Sequence, residues 1–214
     1  LRLFRDRVEA GKLLAGELEE LKSKDVVVLA IPRGGVIVAN EVARALKSHL
    51  DLIIPRKVGA PGNPELAIGA VTQDGAAIID KDTVRMLGVS EKYLEDEVKS
   101  QVEEVTRRMK KYRGERPYPK LKDKFVVIVD DGVATGYTMK AAIRSVRRER
   151  PASVWVAVPV GPPESIEELS KEADRVVCLR MPEPFFAIGQ FYESFDQIED
   201  EELLQILGGS LVQS

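Results

Sequence analysis

Cysteine and histidine are almost missing: Cys178 and His49 are the only examples in 214 residues. One thiol cannot close an internal disulfide or build a cysteine metal cluster. Long apolar runs are missing too. The longest are of strand length, too short to cross a bilayer, and the opening LRLFRDRVEAG lacks the apolar core of a signal peptide. No excess of positive charge exists, with 32 Lys and Arg against 35 Asp and Glu and a net charge of −3. That gives no footing for nucleic acid. The expectation is a cytoplasmic protein with no nucleic-acid and no membrane partner. Repeats and low-complexity segments are also absent. What is present, 44% hydrophobic and 31% charged residues, suits a soluble globular chain large enough for one α/β unit.

Short β-branched runs alternate with helical patterns. Strands are predicted at 26–31, 51–54, 125–129, 154–158 and 176–179, separated by helices or long crossovers. That alternation predicts an α/β fold with a mostly parallel twisted sheet flanked by helices. Apolar spacing at Phe4, Val8, Gly11, Leu14, Leu18 and Leu21 predicts one helix over 4–21. Short strands at Leu66–Thr72 and Ala76–Ile79 flank the hairpin signal Asp74-Gly75. Asp82 is expected to cap a short helix ending at Gly88. Ser90 should cap a long helix whose stripe runs Tyr93, Leu94, Val98, Val102, Val105, Met109, Tyr112 and reads as core packing. The basic run Arg107–Arg116 reads as its solvated end. Ser165 with Glu168 reads as a capping box for a helix through Ala173. A helix near Asp200–Leu207 should stop at Gly208-Gly209. His49 reads as a surface residue in a turn, and Cys178 as a buried structural thiol.

One segment stands apart, Phe125–Met139, FVVIVDDGVATGYTM. Five apolar residues are followed by Asp130 and Asp131, then by the small loop Gly132-Val133-Ala134-Thr135-Gly136-Tyr137-Thr138, then by a helix start. Unpaired N–H groups and the positive dipole end of a helix suit a phosphate. Gly132 and Gly136 let backbone approach an anion, and Thr135 and Thr138 add hydroxyl donors. The carboxylates have the wrong sign for phosphate and suit sugar hydroxyls or a metal ion. Together they describe a seat for a ribose 5-phosphate.

Two further loops follow predicted strands. Pro32-Arg33-Gly34-Gly35 carries a cation beside two glycines; it is either a tight turn with a solvated Arg33 or an anion site. Residues 55–64 begin with Arg56-Lys57 and are dense in Gly and Pro. They read as a mobile loop, either a plain connector or a lid with Arg56 or Lys57 over an anion. In such sheets ligands bind beyond the carboxyl ends of the strands, where all three loops sit. The aromatic tail 185–192 either packs on the core or offers a slot for a flat base.

The Phe125–Met139 run resembles the PRPP-binding motif of type I phosphoribosyltransferases, where PRPP is 5-phosphoribosyl 1-diphosphate. FRDRVEAG, LAIPRGGVIVANEVA, RKVGAPGNPELAIGAV and FAIGQFYESFDQIEDEEL extend the likeness to stand-alone phosphoribosyltransferases across nearly the whole chain. The resemblance implies one domain over 1–214, with a core at about 24–180 and hood or lid elements from 58–120 and 181–214. It implies transfer of the phosphoribosyl group from PRPP to an unidentified base or amine, with magnesium arriving on PRPP and no direct protein ligand. It allows a homodimer. Asp130 and Asp131 would hold the ribose hydroxyls and Gly132–Thr138 the 5-phosphate. Arg33, Gly34, Arg56 and Lys57 would meet pyrophosphate, with Arg33, Lys57 and Asp131 as the catalytic set. The pyrophosphate loop of this family often holds an unusual peptide bond. Enzymes for 6-oxopurines usually carry a third acid where this chain has Ala134, which counts against hypoxanthine and guanine. The alternatives are a non-catalytic PRPP or nucleotide sensor and a hydrolase of a phosphoribosyl compound.

Overall fold

The computed structural model describes residues 3–75 and 77–210. The expectations that touch 1–2, Ala76 and 211–214 lie, at those positions, outside the described residues. In chain order the elements are α1 (Arg7–Gly16), a 3-10 turn (Glu19–Ser23), β1 (Val26–Ala30), α2 (Gly35–Leu46), β2 (His49–Leu52), β3 (Arg56–Ala60), β4 (Asn63–Val71) and β5 (Ala77–Ile79). They continue with α3 (Lys81–Met86), α4 (Glu91–Arg113), β6 (Phe125–Val129), α5 (Tyr137–Arg148), β7 (Ser153–Val160), α6 (Pro163–Ser170), β8 (Arg175–Arg180), a 3-10 turn (Ile188–Phe191) and α7 (Asp200–Ser210).

Five strands form one parallel sheet in the order β2-β1-β6-β7-β8. Val28 sits opposite Val127, and Val127 opposite Trp155. Because side chains alternate along a strand, each strand feeds two cores. Val28, Val127, Val129 and Trp155 pack with Leu14 of α1, Val42 of α2 and Leu203 of α7. Leu29, Val126 and Ile128 face the other way, onto Met139, Ile143 and Leu169 of α5 and α6. Both faces are covered, which is why the strands read as unbroken apolar runs.

The segment after β2 departs from a loop. Residues 56–60 and 63–71 pair antiparallel, with β5 completing a separate three-stranded sheet. Its Gly and Pro residues serve the turn at 61–62 and a register shift near Gly59, where an added Cβ would meet Pro64 backbone at 2.8 Å. They therefore shape a hairpin rather than a structureless lid.

Several boundaries differ from the sequence reading. The predicted 4–21 helix begins only after Asp6, whose carboxylate caps Glu9 N–H, and α1 ends at Gly16. Phe4 is instead extended and bridges to Tyr192. His49 is the first residue of β2, not part of a turn. Asp80, not Asp82, caps α3, accepting from Asp82 and Thr83 N–H. Pro162 occupies the N-cap of α6 without a side-chain bond, so the expected Ser165 box does not form. Helix α7 runs on through Gly208 and Gly209. Ser90 does cap α4, and the α4 stripe does pack on the core. Cys178 is half-buried, and burial pushes its thiol up to about 11.

The basic end of α4 is not wholly solvated. Arg113 is buried and donates from Nε and Nη2 to the two Asp51 oxygens at 2.6 and 2.8 Å. Burial by itself would raise the Asp51 carboxyl. His49, Arg113 and the Leu52 N–H outweigh that and hold it below its ordinary value. A buried pair broken on one side costs about 3–5 kcal/mol, whereas an exposed pair contributes about 0–1 kcal/mol. Urea denaturation should therefore show Arg113→Ala losing about 3–5 kcal/mol and Arg107→Ala, on the exposed face, scarcely shifting the midpoint. A carboxyl depressed in the folded state stabilises above its unfolded pKa of about 3.9. The gap between wild type and Arg113→Ala should shrink as pH falls below about 4. A gap constant from pH 7 to 3 would contradict this role.

Candidate active site

Adjacent pairing of β1 and β6 places the loops after them side by side. Behind β1, the Pro32–Arg33 peptide is cis, and Gly34 and Gly35 lead into α2. A Cβ on Gly34 would fall 2.0 Å from Asp131 Oδ2 and 2.7 Å from Arg7 Nε. One on Gly35 would fall 2.8 Å from Asp130 Oδ1. The glycine loop and the acid pair are thus in contact through backbone that tolerates no side chain.

The two acids have different surroundings. Asp131 is buried, and its Oδ2 accepts from Arg7 Nε at 2.7 Å. Arg7 also donates from Nη1 to the Asp196 carbonyl at 2.8 Å and lies 3.9 Å above the Phe195 ring. The Tyr192 hydroxyl donates to the Asp131 carbonyl at 2.6 Å; burial pushes this phenol up, so it stays a donor. Asp130 Oδ1 accepts from the Asp131 N–H at 2.8 Å. Burial, and then the neighbouring Asp131 carboxylate, push the Asp130 carboxyl well above its usual range. Hydroxyl donors or a cation beside Asp130 would relieve that penalty.

The loop beyond the acids is fixed from several sides. A Cβ on Gly132 would meet Ile188 Cγ2 at 2.6 Å. Val133 donates its N–H to the Val160 carbonyl at 2.9 Å, and its side chain is buried. The Ser165 hydroxyl donates to the Ala134 carbonyl, so this serine braces the loop in place of capping its own helix. Ala134 and Thr135 are exposed. Gly136 takes φ +77°, a conformation that favours glycine, and α5 begins directly after it. The N–H groups of that first turn have no acceptor within the helix. The Tyr137 hydroxyl donates to Asp80 Oδ2 at 3.0 Å, tying the loop to the start of α3.

A cleft of about 340 Å³ opens beside these loops. Pro32, Arg56, Lys57 and Thr138 line it, so the three expected loops do converge. Arg33 is absent from that wall. Its Nη1 lies 3.9 Å from Asp200 Oδ1 at the start of α7. Asp200 also accepts from the Tyr112 hydroxyl and pairs with Lys111. Lys57 is exposed on the hairpin.

The sequence reading missed Arg7, Tyr192, Ser165, Asp80 and Arg108. A helix-face reading held a signal for Arg7, which shares the buried face of Ala10, Gly11 and Leu14. A guanidinium there calls for a buried acid. Tyr192, Ser165 and Asp80 reach partners far away in the chain, which no local pattern marks, and Arg108 lies in the run 107–116 that reads as a solvated helix end.

Known proteins compare as follows. The phosphoribosyl transferase domain family matches residues 7–194. A protein of Mycobacterium tuberculosis H37Rv, provisionally named phosphoribosyl transferase Rv0571c, is 42% identical over 207 residues, which is 97% of this chain and 47% of that one. Its counterpart in strain CDC 1551, MT0597, matches equally. The chain therefore spans about half the length of the curated relatives it matches. The crystal structure of TT1426 from Thermus thermophilus superposes with a TM-score of 0.82 at 46% identity, covering 97% of this chain and 98% of that one. With a family model over most of its length and relatives above 40% identity, the chain belongs to the phosphoribosyl transferase domain family.

Proposed function

We propose that this protein transfers the 5-phosphoribosyl group of PRPP to a nitrogenous base or amine and releases pyrophosphate. The observation that carries the reading is the contact of Gly34 and Gly35 with Asp131 and Asp130. It sets a diphosphate-sized loop, an acid pair and an amide-lined helix start around one point. The loop 132–138 holds the 5-phosphate at the positive end of α5, through the Thr135 and Thr138 hydroxyls and its amides other than that of Val133, which is taken by the Val160 carbonyl. Asp130 accepts from a ribose hydroxyl. Asp131 offers Oδ1 to the other, since Oδ2 is committed to Arg7.

At C1 the bond to the diphosphate oxygen breaks as the bond to the acceptor nitrogen forms. Positive charge builds on the sugar ring, and the nearby carboxylates stabilise it. Gly34 backbone, Arg56 and Lys57 hold negative charge on the departing pyrophosphate, and Arg33 joins them by leaving Asp200. Among the described residues no group of three or more His, Cys, Asp or Glu is arranged to hold a metal. The donors present, Asp130 and hard oxygens near a wide cleft, fit a hydrated magnesium ion carried on the diphosphate. When bound, that ion would neutralise the leaving group. Ala134 supplies no acid to the loop, so the acceptor is one that needs no carboxylate there, unlike hypoxanthine or guanine.

Incubation with PRPP, magnesium and a panel of bases and amines should give pyrophosphate only when the right acceptor is present. Release without any acceptor would point to a hydrolase, and PRPP binding without turnover to a sensor. Titration with ribose 5-phosphate separates the two acids. Asp130→Asn should bind about tenfold or more weakly, the loss of a charged hydrogen bond, with undiminished thermal stability. Asp131→Asn should by contrast cost about 3–5 kcal/mol because Arg7 loses its buried partner. Unchanged ribose 5-phosphate affinity in Asp130→Asn would overturn the sugar placement.

A further inference from the structure

The longest helix among the described residues, α4, packs its stripe on the core and pairs Arg113 with Asp51. It also forms one wall of the 340 Å³ cleft, through Glu97, Gln101 and Arg108. Opposite it lie Pro32 of the glycine loop and Arg56 and Lys57 of the hairpin. Among the described residues, three cations therefore face one cavity whose lining holds a single carboxylate, Glu97.

The hydrogen bonds of these cations leave donors over. Arg56 gives Nε to the neutral Gln101 Oε1 at 2.7 Å, and Gln101 in turn donates to Glu97 at 2.9 Å. Arg108 gives Nε to Glu104 Oε1 at 2.7 Å. Arg107, its exposed neighbour, takes both Glu104 oxygens, at 2.7 and 2.9 Å. Among the described residues, neither terminal nitrogen of Arg108 and no part of the Lys57 ammonium has a hydrogen-bond partner. Burial, and then the charge of Arg108, lower the Arg56 pKa, the signature of two guanidiniums close together. Shared between Arg107 and Arg108, Glu104 is held at about 2 and stays ionised. It therefore fixes Arg108 by one nitrogen and leaves the planar end of the fork over the cleft. Paired guanidiniums in this setting are matched by an anion with several oxygens.

We propose that Arg108 of α4 is a pyrophosphate-binding residue, so that a fixed helix, with the hairpin, walls in the leaving group. This rests on the phosphoribosyl transfer proposed above and deepens it. The side chain touches the diphosphate oxygens; of the loop 132–138 proposed for the sugar phosphate, only Thr138 lines the same cleft. Arg108 therefore separates affinity for the two ends of the substrate.

Isothermal titration with two probes, magnesium pyrophosphate and ribose 5-phosphate, tests this on wild type, Arg108→Gln, Arg108→Lys and Arg107→Gln. Arg108→Gln should bind pyrophosphate about tenfold or more weakly, in keeping with one charge-assisted contact, and ribose 5-phosphate within about twofold. Arg108→Lys should recover part of the loss. Arg107→Gln, which shares Glu104 but faces solvent, should match wild type for both probes. Equal pyrophosphate affinity in wild type and Arg108→Gln would overturn the proposal. So would a matching loss for ribose 5-phosphate, or a loss of the same size in Arg107→Gln, since either means the helix was merely disturbed. A wild type that binds neither probe would instead overturn the transferase reading on which this rests.

Discussion

Arg7 and Asp131 lie 124 positions apart in sequence and 2.7 Å apart in space. Their buried contact fixes the geometry of everything around it. The guanidinium reaches from α1 under the tail, where the Asp196 carbonyl and the Phe195 ring hold its other side. Gly34 is pressed against both partners. First helix, glycine loop, acid pair and tail thus meet at a single charge pair. A buried pair of this kind adds little net stability over apolar packing, but losing either partner leaves an uncompensated charge. Its use here is positional: it holds one carboxylate oxygen still and leaves the neighbouring acid, Asp130, in want of donors.

That difference between two adjacent acids is the chemical centre of the site. Two like charges in one buried place cannot both be comfortable. Asp131 is hydrogen-bonded to a guanidinium; the same Arg7 charge acts on Asp130 too, but burial and the Asp131 carboxylate outweigh it. The sugar hydroxyls of the proposed substrate would supply what Asp130 lacks. Beside them the open N–H groups of α5 supply what a phosphate needs. Binding would thus relieve electrostatic costs already built into the folded chain.

Much of this was legible before the fold. The five core strands follow from β-branched runs, because a parallel sheet covered on both faces leaves no polar alternation to blur them. The run from Asp130 to Thr138 was legible because its chemistry is contiguous: acids, glycines and a helix start in one stretch. The rest was not, for a common reason. Residues 55–64 are rich in glycine and proline, which suggested a loose loop. The hairpin forms because β4 supplies a partner that local composition does not reveal. Arg113 looked solvated because its partner, Asp51, is 62 positions away. Ser165 looked like a cap, yet its hydroxyl reaches the Ala134 carbonyl across 31 positions. Arg33 is the instructive residue. Its loop was read as a pyrophosphate site, and its side chain rests near Asp200, a residue of a helix that no local rule connects to it.

A crystal structure of the protein grown with ribose 5-phosphate tests the central claim most directly. The account predicts phosphate oxygens on the amides of residues 134–138 and the Thr138 hydroxyl, with ring hydroxyls on Asp130 and on Asp131 Oδ1 while Arg7 keeps Oδ2. Sugar density at another place, or an acid pair that turns away from a sugar bound at this loop, would contradict it.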